Sequence, residues 1–327
     1  MRAWRVHELG EPEVVLRLDD VDALVPGPNE VAIDVAAASL NFPDVLMCRG
    51  DYQVKPPLPF TPGAEVAGTV VDLGDGADAS LLGRRVIAIP RFGAGGFTQR
   101  TVSATSTVFP IPDTLDDTAA AALHVTYQTG HVALHRRAHL QAGETLLVHA
   151  GAGGVGSAAI QLGLAAGARV IATAGGPAKV QVCRDLGAEL VIDYRAGDFV
   201  DGVKEFTDGR GADVIYDPVG GDTYDRSTKC IAFEGRILII GFTGGRFADA
   251  RTNHILIKNY SVIGVHWGLY NLLKPKFVHE THAELMRLHA DGQIAPLISR
   301  EIPMTEVPSA LASLATRGTW GKIVAHW

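Results

Sequence analysis

The sequence predicts an α/β protein in two parts, a doubly wound parallel sheet and a mostly β domain that precedes it. Three observations predict it. The short apolar run Thr145–His149 is followed at once by Gly151, Gly153 and Gly156 in G-x-G-x-x-G spacing, and then by the helix-forming stretch Ser157–Ala166. Beyond that loop, apolar strand-like runs and helix-like runs take turns as far as Gly241. Before it, from Met1 to about Ala120, short β-like segments are broken by Pro and Gly.

Taken in order, the first part offers strands at Val31–Val35, Glu65–Val71, Arg85–Ile89 and Phe97–Val102. Pro26-Gly27-Pro28, Pro56-Pro57, Pro59 and Gly74–Gly76 punctuate them, as in small curled sheets. Near Asp113 the texture changes to helix caps, an alanine-rich helix from Thr118 and a further helix from Thr126 to about Ala138. After the glycine loop come strand Arg169–Thr173, helix Ala178–Leu186, strand Leu190–Asp193 and helix Asp198–Phe206. Strand Val214–Asp217, helix Asp222–Ile231 and strand Arg236–Gly241 complete the alternation. Strands that are apolar throughout require cover on both faces, which is the signature of a parallel sheet. Ser261–His266 is one more strand, Phe277–Ala290 an amphipathic helix, and Gly321–His326 a closing strand.

Composition bounds the function. With 327 residues, 47% hydrophobic and 20% charged, the chain is long enough for two cores of roughly 150 residues each. Its net charge of −7 and lack of a basic block argue against nucleic acid or an anionic membrane as its main partner. The start MRAWRVHELG has no apolar signal core and no apolar run approaches membrane-spanning length, so a cytoplasmic protein is expected. Cys48, Cys183 and Cys230 form no C-x-x-C pair, and neither a disulfide framework nor a structural zinc lobe is indicated.

The glycine loop is the chemical centre. Its first glycine permits the tight turn, the second lets backbone approach a pyrophosphate, and the third lets helix pack on strand, with the phosphates at the helix N-terminus. A dinucleotide site at Gly151, Gly153, Gly154, Val155 and Gly156 is therefore expected.

Nearly the whole length resembles the medium-chain dehydrogenase/reductase superfamily, and within it the zinc-free, zeta-crystallin-like NADPH:quinone oxidoreductase branch. The markers are LNFPD (Leu40–Asp44) with RGDY (Arg49–Tyr52), LPFTPGAEVAGTV (Leu58–Val70), GGFTQ (Gly95–Gln99), TYQTG (Thr126–Gly130), AGAGGVG (Ala150–Gly156), IGF (Ile240–Phe242) and GKIV (Gly321–Val324). The resemblance implies a Rossmann-type dinucleotide domain at 124–263 and a GroES-like catalytic domain made of 1–123 and 264–327. It also implies an active site in the cleft between them and a homodimer paired through the edge of the dinucleotide domain, near Tyr260–His266.

Zinc-dependent members of the superfamily carry Cys and His where this chain has Asn41 and Ala64. An amide and a methyl group do not replace a thiolate and an imidazole on zinc, so no metal is expected. His131, His135 and His139 recur every four residues, but without an acidic companion they are read as a solvated helix face.

NAD-specific folds place an acid about 20 residues past the glycine loop. None occurs between Gly156 and Asp185. Thr173, Gly175, Lys179 and Tyr194 lie where the resemblance places the 2′-phosphate of NADP(H), a dianion matched by an ammonium and hydroxyl donors. The same resemblance places Gly241, Phe242, His266, Trp267 and Lys322 beside the cofactor. It makes Asn41, Tyr52 and Tyr127 the active-site hydrogen-bond donors, with Tyr52 as proton donor or pocket wall.

The implied reaction is hydride transfer from NADPH to a quinone or an α,β-unsaturated carbonyl compound. An enoyl-thioester reductase is the alternative, with Arg246, Arg251, Lys274 and Lys276 as candidate CoA-phosphate partners. A cofactor-binding crystallin-like or nucleic-acid-binding protein without turnover is the alternative of another class. Cys48 is read as packing.

Overall fold

The computed structural model describes residues 1–327. The chain divides into two units. One comprises Met1–Val125, Leu273–His282 and Pro296–Trp327; the other comprises Thr126–Leu272 and Ala283–Ala295.

In chain order the strands are β1 (Arg2–Val6), β2 (Leu16–Asp20), β3 (Glu30–Ser39), β4 (Val66–Leu73), β5 (Arg85–Ala88), β6 (Arg100–Ala104) and β7 (Val108–Pro110) in the first unit. The second unit adds β8 (Thr145–Val148), β9 (Arg169–Ala174), β10 (Leu190–Asp193), β11 (Ala212–Asp217), β12 (Ile231–Ile239) and β13 (Ser261–Gly264). The chain then returns to the first unit with β14 (Ile298–Pro303) and β15 (Lys322–His326).

The first unit is organised on β3. Its N-terminal half pairs with β6, its C-terminal half with β15, and most of its length with β4, all antiparallel. The sheet runs β14-β15-β3-β4-β5-β7, with β6 on β3 and a separate β1-β2 ribbon. Val31, Ile33 and Val35 alternate inward and join Val66, Val70, Val86, Phe60 and Phe97 in one core. A helix that the β-like texture did not announce, Phe42–Arg49, leaves the end of β3. Asn41 precedes it in extended geometry, Pro43 sits in its first turn, and Gly50 ends it at φ 77°. Asp44, Val45 and Cys48 are its buried side.

The second unit is a six-stranded, wholly parallel sheet in the order β10-β9-β8-β11-β12-β13. The order reverses between β8 and β11, the switch point at whose carboxyl ends such sheets hold dinucleotides.

The expected elements move in detail. The helix from Thr118 and the one from Thr126 are a single helix, Asp117–His131, continued by a π-helical segment Val132–Arg137. The helix at Asp222 stops at Ser227, and Ile231 already belongs to β12. The return to the first unit falls at Leu273 rather than at 264, and 283–295 groups with the parallel sheet. The physical reason is a backbone anchor. Ala295 donates its N–H to Gln161 Oε1 at 2.6 Å and accepts from Gln161 Nε2 at 3.0 Å and from the Tyr127 hydroxyl at 2.8 Å.

Candidate active site

The cofactor cradle starts where β8 ends. Ala150 turns the chain at φ 50°, and the helix Gly154–Ala165 begins four residues later with Gly153 as its N-cap. A Cβ on Gly156 would lie 2.2 Å from the Ala150 carbonyl oxygen, and one on Gly151 would meet Ala172 and Cys183 at 2.9 Å. These two glycines are therefore required by packing. A Cβ on Gly153 would lie 3.2 Å from the Ala150 carbonyl oxygen, a tight contact rather than an overlap. Gly154 and Val155 form the helix's partly exposed first turn, a set of N–H groups suited to a pyrophosphate.

A buried triad sets this loop. His149 lies between the Thr173 hydroxyl (3.0 Å from Nδ1) and the Ser227 hydroxyl (2.8 Å from Nε2). Ser227 already gives its proton to the Thr223 carbonyl, so Nε2 carries the imidazole proton and Nδ1 accepts from Thr173. Burial holds this histidine at about 4, neutral at physiological pH. Thr173, expected at the cofactor, directs its hydroxyl to His149, and its carbonyl accepts the Gly151 N–H at 2.9 Å. Its role is to shape the loop.

At the ends of β9 and β10, Gly175 and Tyr194 come together. A Cβ on Gly175 would lie 2.3 Å from the Tyr194 hydroxyl and 3.2 Å from Arg195 Nε, so glycine lets Tyr194 lie across the turn. Lys179 stands in the first turn of the helix Pro177–Asp185. Arg195 is the member that sequence reasoning passed over; its only signal was adjacency to Tyr194. Asp193 accepts from the Gly176 and Arg195 N–H groups, which hold its carboxyl below the usual range.

Beyond β12, Gly241 and Phe242 follow the strand, and the Phe242 ring meets Phe247 edge-on at 4.7 Å. His266 is exposed and Trp267 buried after β13. At the end of β11, Asp217 accepts the N–H groups of Val219 and Gly220, shaping the turn that Gly241 approaches.

The first unit holds the polar network that decides the fate of the expected donors. Glu65 is fully buried. Its Oε1 accepts from Ser39 Oγ (2.6 Å), Lys322 Nζ (3.0 Å) and Asn41 Nδ2 (3.1 Å), and its Oε2 from the Val125 N–H (2.7 Å). Lys322 Nζ also reaches Asn41 Oδ1 at 2.6 Å and the Leu40 carbonyl at 3.2 Å. Asn41 gives its second amide proton to the Ser39 carbonyl at 3.2 Å. The three N–H groups of Lys322 all have protein acceptors, and both amide protons of Asn41 are engaged, so within the protein neither side chain presents an open donor.

Tyr127 is likewise engaged within the protein. It is 1% exposed and its single hydroxyl proton goes to the Ala295 carbonyl, so it braces the second unit. Tyr52 differs from both. No protein group is hydrogen-bonded to its hydroxyl, and burial, with the charge of Asp44 behind it, raises its pKa. Asp44 accepts the N–H groups of Asn41 (2.8 Å) and Gly63 (3.0 Å), while burial pushes its carboxyl to about 7. Tyr52 lines a hollow of about 280 Å³ walled mainly by apolar side chains.

His131 and His135 do not form a solvated face. Both are half-buried with ring centroids 4.6 Å apart, and burial draws His131 down to about 4. Cys48 is a packing residue, its thiol pushed to about 12 by burial and by Asp44.

The family model for the alcohol dehydrogenase GroES-like domain matches residues 27–113, and that for zinc-binding dehydrogenase matches residues 154–286. A quinone oxidoreductase-like protein 2 homolog of Nematostella vectensis is 36% identical over 327 residues, spanning 99% of this chain and 88% of the relative. A probable oxidoreductase of Mycobacterium abscessus superposes with a TM-score of 0.89 at 38% identity, over 100% of this chain and 99% of the other. An Escherichia coli quinone oxidoreductase complexed with NADPH superposes with a TM-score of 0.93 at 28% identity, over the full length of both chains.

Proposed function

Since the chain belongs to the quinone oxidoreductase branch of the medium-chain dehydrogenase/reductase superfamily, we propose that it reduces a quinone or an α,β-unsaturated carbonyl compound with NADPH, without zinc. The observation that carries the reading is Tyr52. Its hydroxyl is uncommitted, its raised pKa keeps it protonated at neutral pH, and it lines a mainly apolar hollow that suits a planar, weakly polar acceptor.

When bound, NADPH supplies the hydride. The chain's own residues do the rest. The first turn at Gly154 and Val155 and the loop from Gly151 would hold the pyrophosphate, and Lys179, Tyr194 and Arg195 would meet the 2′-phosphate where no acid ends β9. Gly241, Phe242, His266 and Trp267 would flank the nicotinamide. Tyr52 donates a hydrogen bond where negative charge develops on the acceptor.

Zinc does not fit the donors present. Asn41 Oδ1 is already 2.6 Å from an ammonium, and Ala64 has nothing to coordinate with. A cation beside Lys322 would meet like charge in a buried site. In a panel of benzoquinones, enones, enoyl-CoA esters and alcohols, NADPH oxidation is expected with the first two before and after chelation. Alcohol oxidation that chelation abolishes overturns the reading, and no turnover with any acceptor favours a binding protein without catalysis. The enoyl-CoA alternative loses one phosphate partner, because Arg246 is paired with Asp222 and Asp225.

Replacing Lys179 with Ala removes one charge-assisted contact to the 2′-phosphate, a loss of roughly 1.5–3 kcal/mol or about 10- to 100-fold in affinity. KM for NADPH should rise by that factor while KM for NADH stays within about twofold. Equal use of the two cofactors by the unmodified protein overturns the assignment.

A homodimer is part of the same proposal. β13 pairs only with β12, leaving its outer edge open, and the neighbouring helices Thr252–Lys258 and Gly268–Leu273 hold no fully buried residue, although Ile255 packs partly against the core. Leu256, Ile257, Leu269 and Leu272 stand exposed on them. Edge-to-edge pairing of two copies covers these groups symmetrically. Sedimentation at micromolar concentration should give twice the chain mass of 34.6 kDa; a monomer mass contradicts it.

A further inference from the structure

The hollow beside Tyr52 is built from three segments locked together by backbone. Gly10 N–H bonds to the Cys48 carbonyl at 2.9 Å, which lays Leu9 against the end of the helix Phe42–Arg49; a Cβ on Gly50 would lie 2.6 Å from Leu9 Cδ1. Phe60 exchanges both of its backbone hydrogen bonds with Val6, at 2.8 and 3.2 Å, and supplies the buried floor. Met47, Val54 and Leu58 complete the walls. Leu9, Val54 and Leu58 are each about half exposed around this one concavity, at 50%, 51% and 46%. Apolar side chains scattered singly over a surface need no explanation, but a concave cluster of them does.

From this geometry, and resting on the reductase reading above, we infer that the hollow is a subsite for an aliphatic chain carried by the acceptor. Its polar inventory is the Tyr52 hydroxyl and, at the rim, Lys55; there is no carboxylate, histidine or amide side chain to orient a charged head. Its volume of about 280 Å³ falls below the roughly 300–1,000 Å³ of sites that enclose a whole ligand. A part of a ligand fits, with Tyr52 as the wall residue that carries a hydroxyl. The subsite selects alkyl-substituted acceptors over bare rings.

The test is a series of 2-alkyl-1,4-benzoquinones with no carbon to eight carbons in the chain, assayed with NADPH. Each methylene seated in the hollow should raise kcat/KM about twofold to fourfold until the hollow is full, after which the series flattens. In Val54→Trp, which fills the space, and Val54→Asp, which charges it, the ratio of octyl to unsubstituted acceptor should fall towards one. Because the ratio is taken within each variant, partial loss of folded protein cancels. A flat series in the unmodified protein with good turnover of the bare quinone overturns the subsite and leaves the reductase reading standing. Absence of all turnover fails the reductase reading instead, and the subsite is then judged by the ¹³C-methyl resonance of Met47 during titration with octylhydroquinone. A saturable shift that Val54→Trp abolishes supports it. No shift, or a shift that follows protein concentration alone, overturns it.

Discussion

Lys322→Met should lower the melting temperature of the protein strongly. The ammonium is 5% exposed and its partner Glu65 is 0% exposed. Removing it leaves a buried carboxylate whose remaining donors are Ser39, Asn41 and the Val125 N–H. Breaking a buried pair from one side costs about 3–5 kcal/mol, because the remaining charge keeps its desolvation penalty and loses its compensation. For domains of about 150–250 residues that corresponds to a drop of roughly 6–20 °C. Removing both charges together, as Lys322→Met with Glu65→Gln, should cost clearly less than the two single changes added, since neither charge is then left alone. Lys322→Arg should fall between, because a planar guanidinium does not point three donors at the positions of Leu40 O, Asn41 Oδ1 and Glu65 Oε1. A Lys322→Met protein that melts within 2 °C of the parent would show that the network contributes no net stability.

Tyr52→Phe should separate the two acceptor classes. Reduction of a conjugated C=C bond leaves an enolate that must be protonated, and a placed hydroxyl supplies general-acid catalysis of roughly 10²- to 10⁴-fold. A quinone that accepts hydride becomes a hydroquinone anion, stable enough to take its proton from water. The substitution keeps the ring that walls the hollow and removes only the hydroxyl, which no protein group holds in place. The expected result is a fall in kcat of that size with enones and of less than about tenfold with quinones, with KM little changed in either case. Equal losses with both would mean that the hydroxyl positions the acceptor rather than protonating it. No loss with either would make Tyr52 a wall.

The second of these predictions was legible in the chain and the first was not. The glycine loop, the alternation after it and the lack of an acid between Gly156 and Asp185 are local features. Each is a property of residues a few positions apart, where period, turn geometry and charge act directly on backbone, so the parallel sheet and its cradle could be read in advance. The helix Phe42–Arg49 was hidden because Asn41 and Pro43, its start signals, sit within strand-like surroundings.

What a polar side chain does depends on whether its donors are already engaged, and that is set by distant chain. Lys322 meets Asn41 across a separation of 281 residues, only because β15 pairs with β3; Tyr127 meets the Ala295 carbonyl across 168. The sequence offered Asn41, Tyr52 and Tyr127 as active-site donors and Lys322 as a cofactor-side residue. By itself the sequence determined the fold class and the strand–glycine loop–helix unit at its centre. Only the tertiary structure decided that three of the four have their donors engaged within the protein and that Tyr52 alone keeps its proton to give, because a buried donor is defined by the acceptors that folding brings to it.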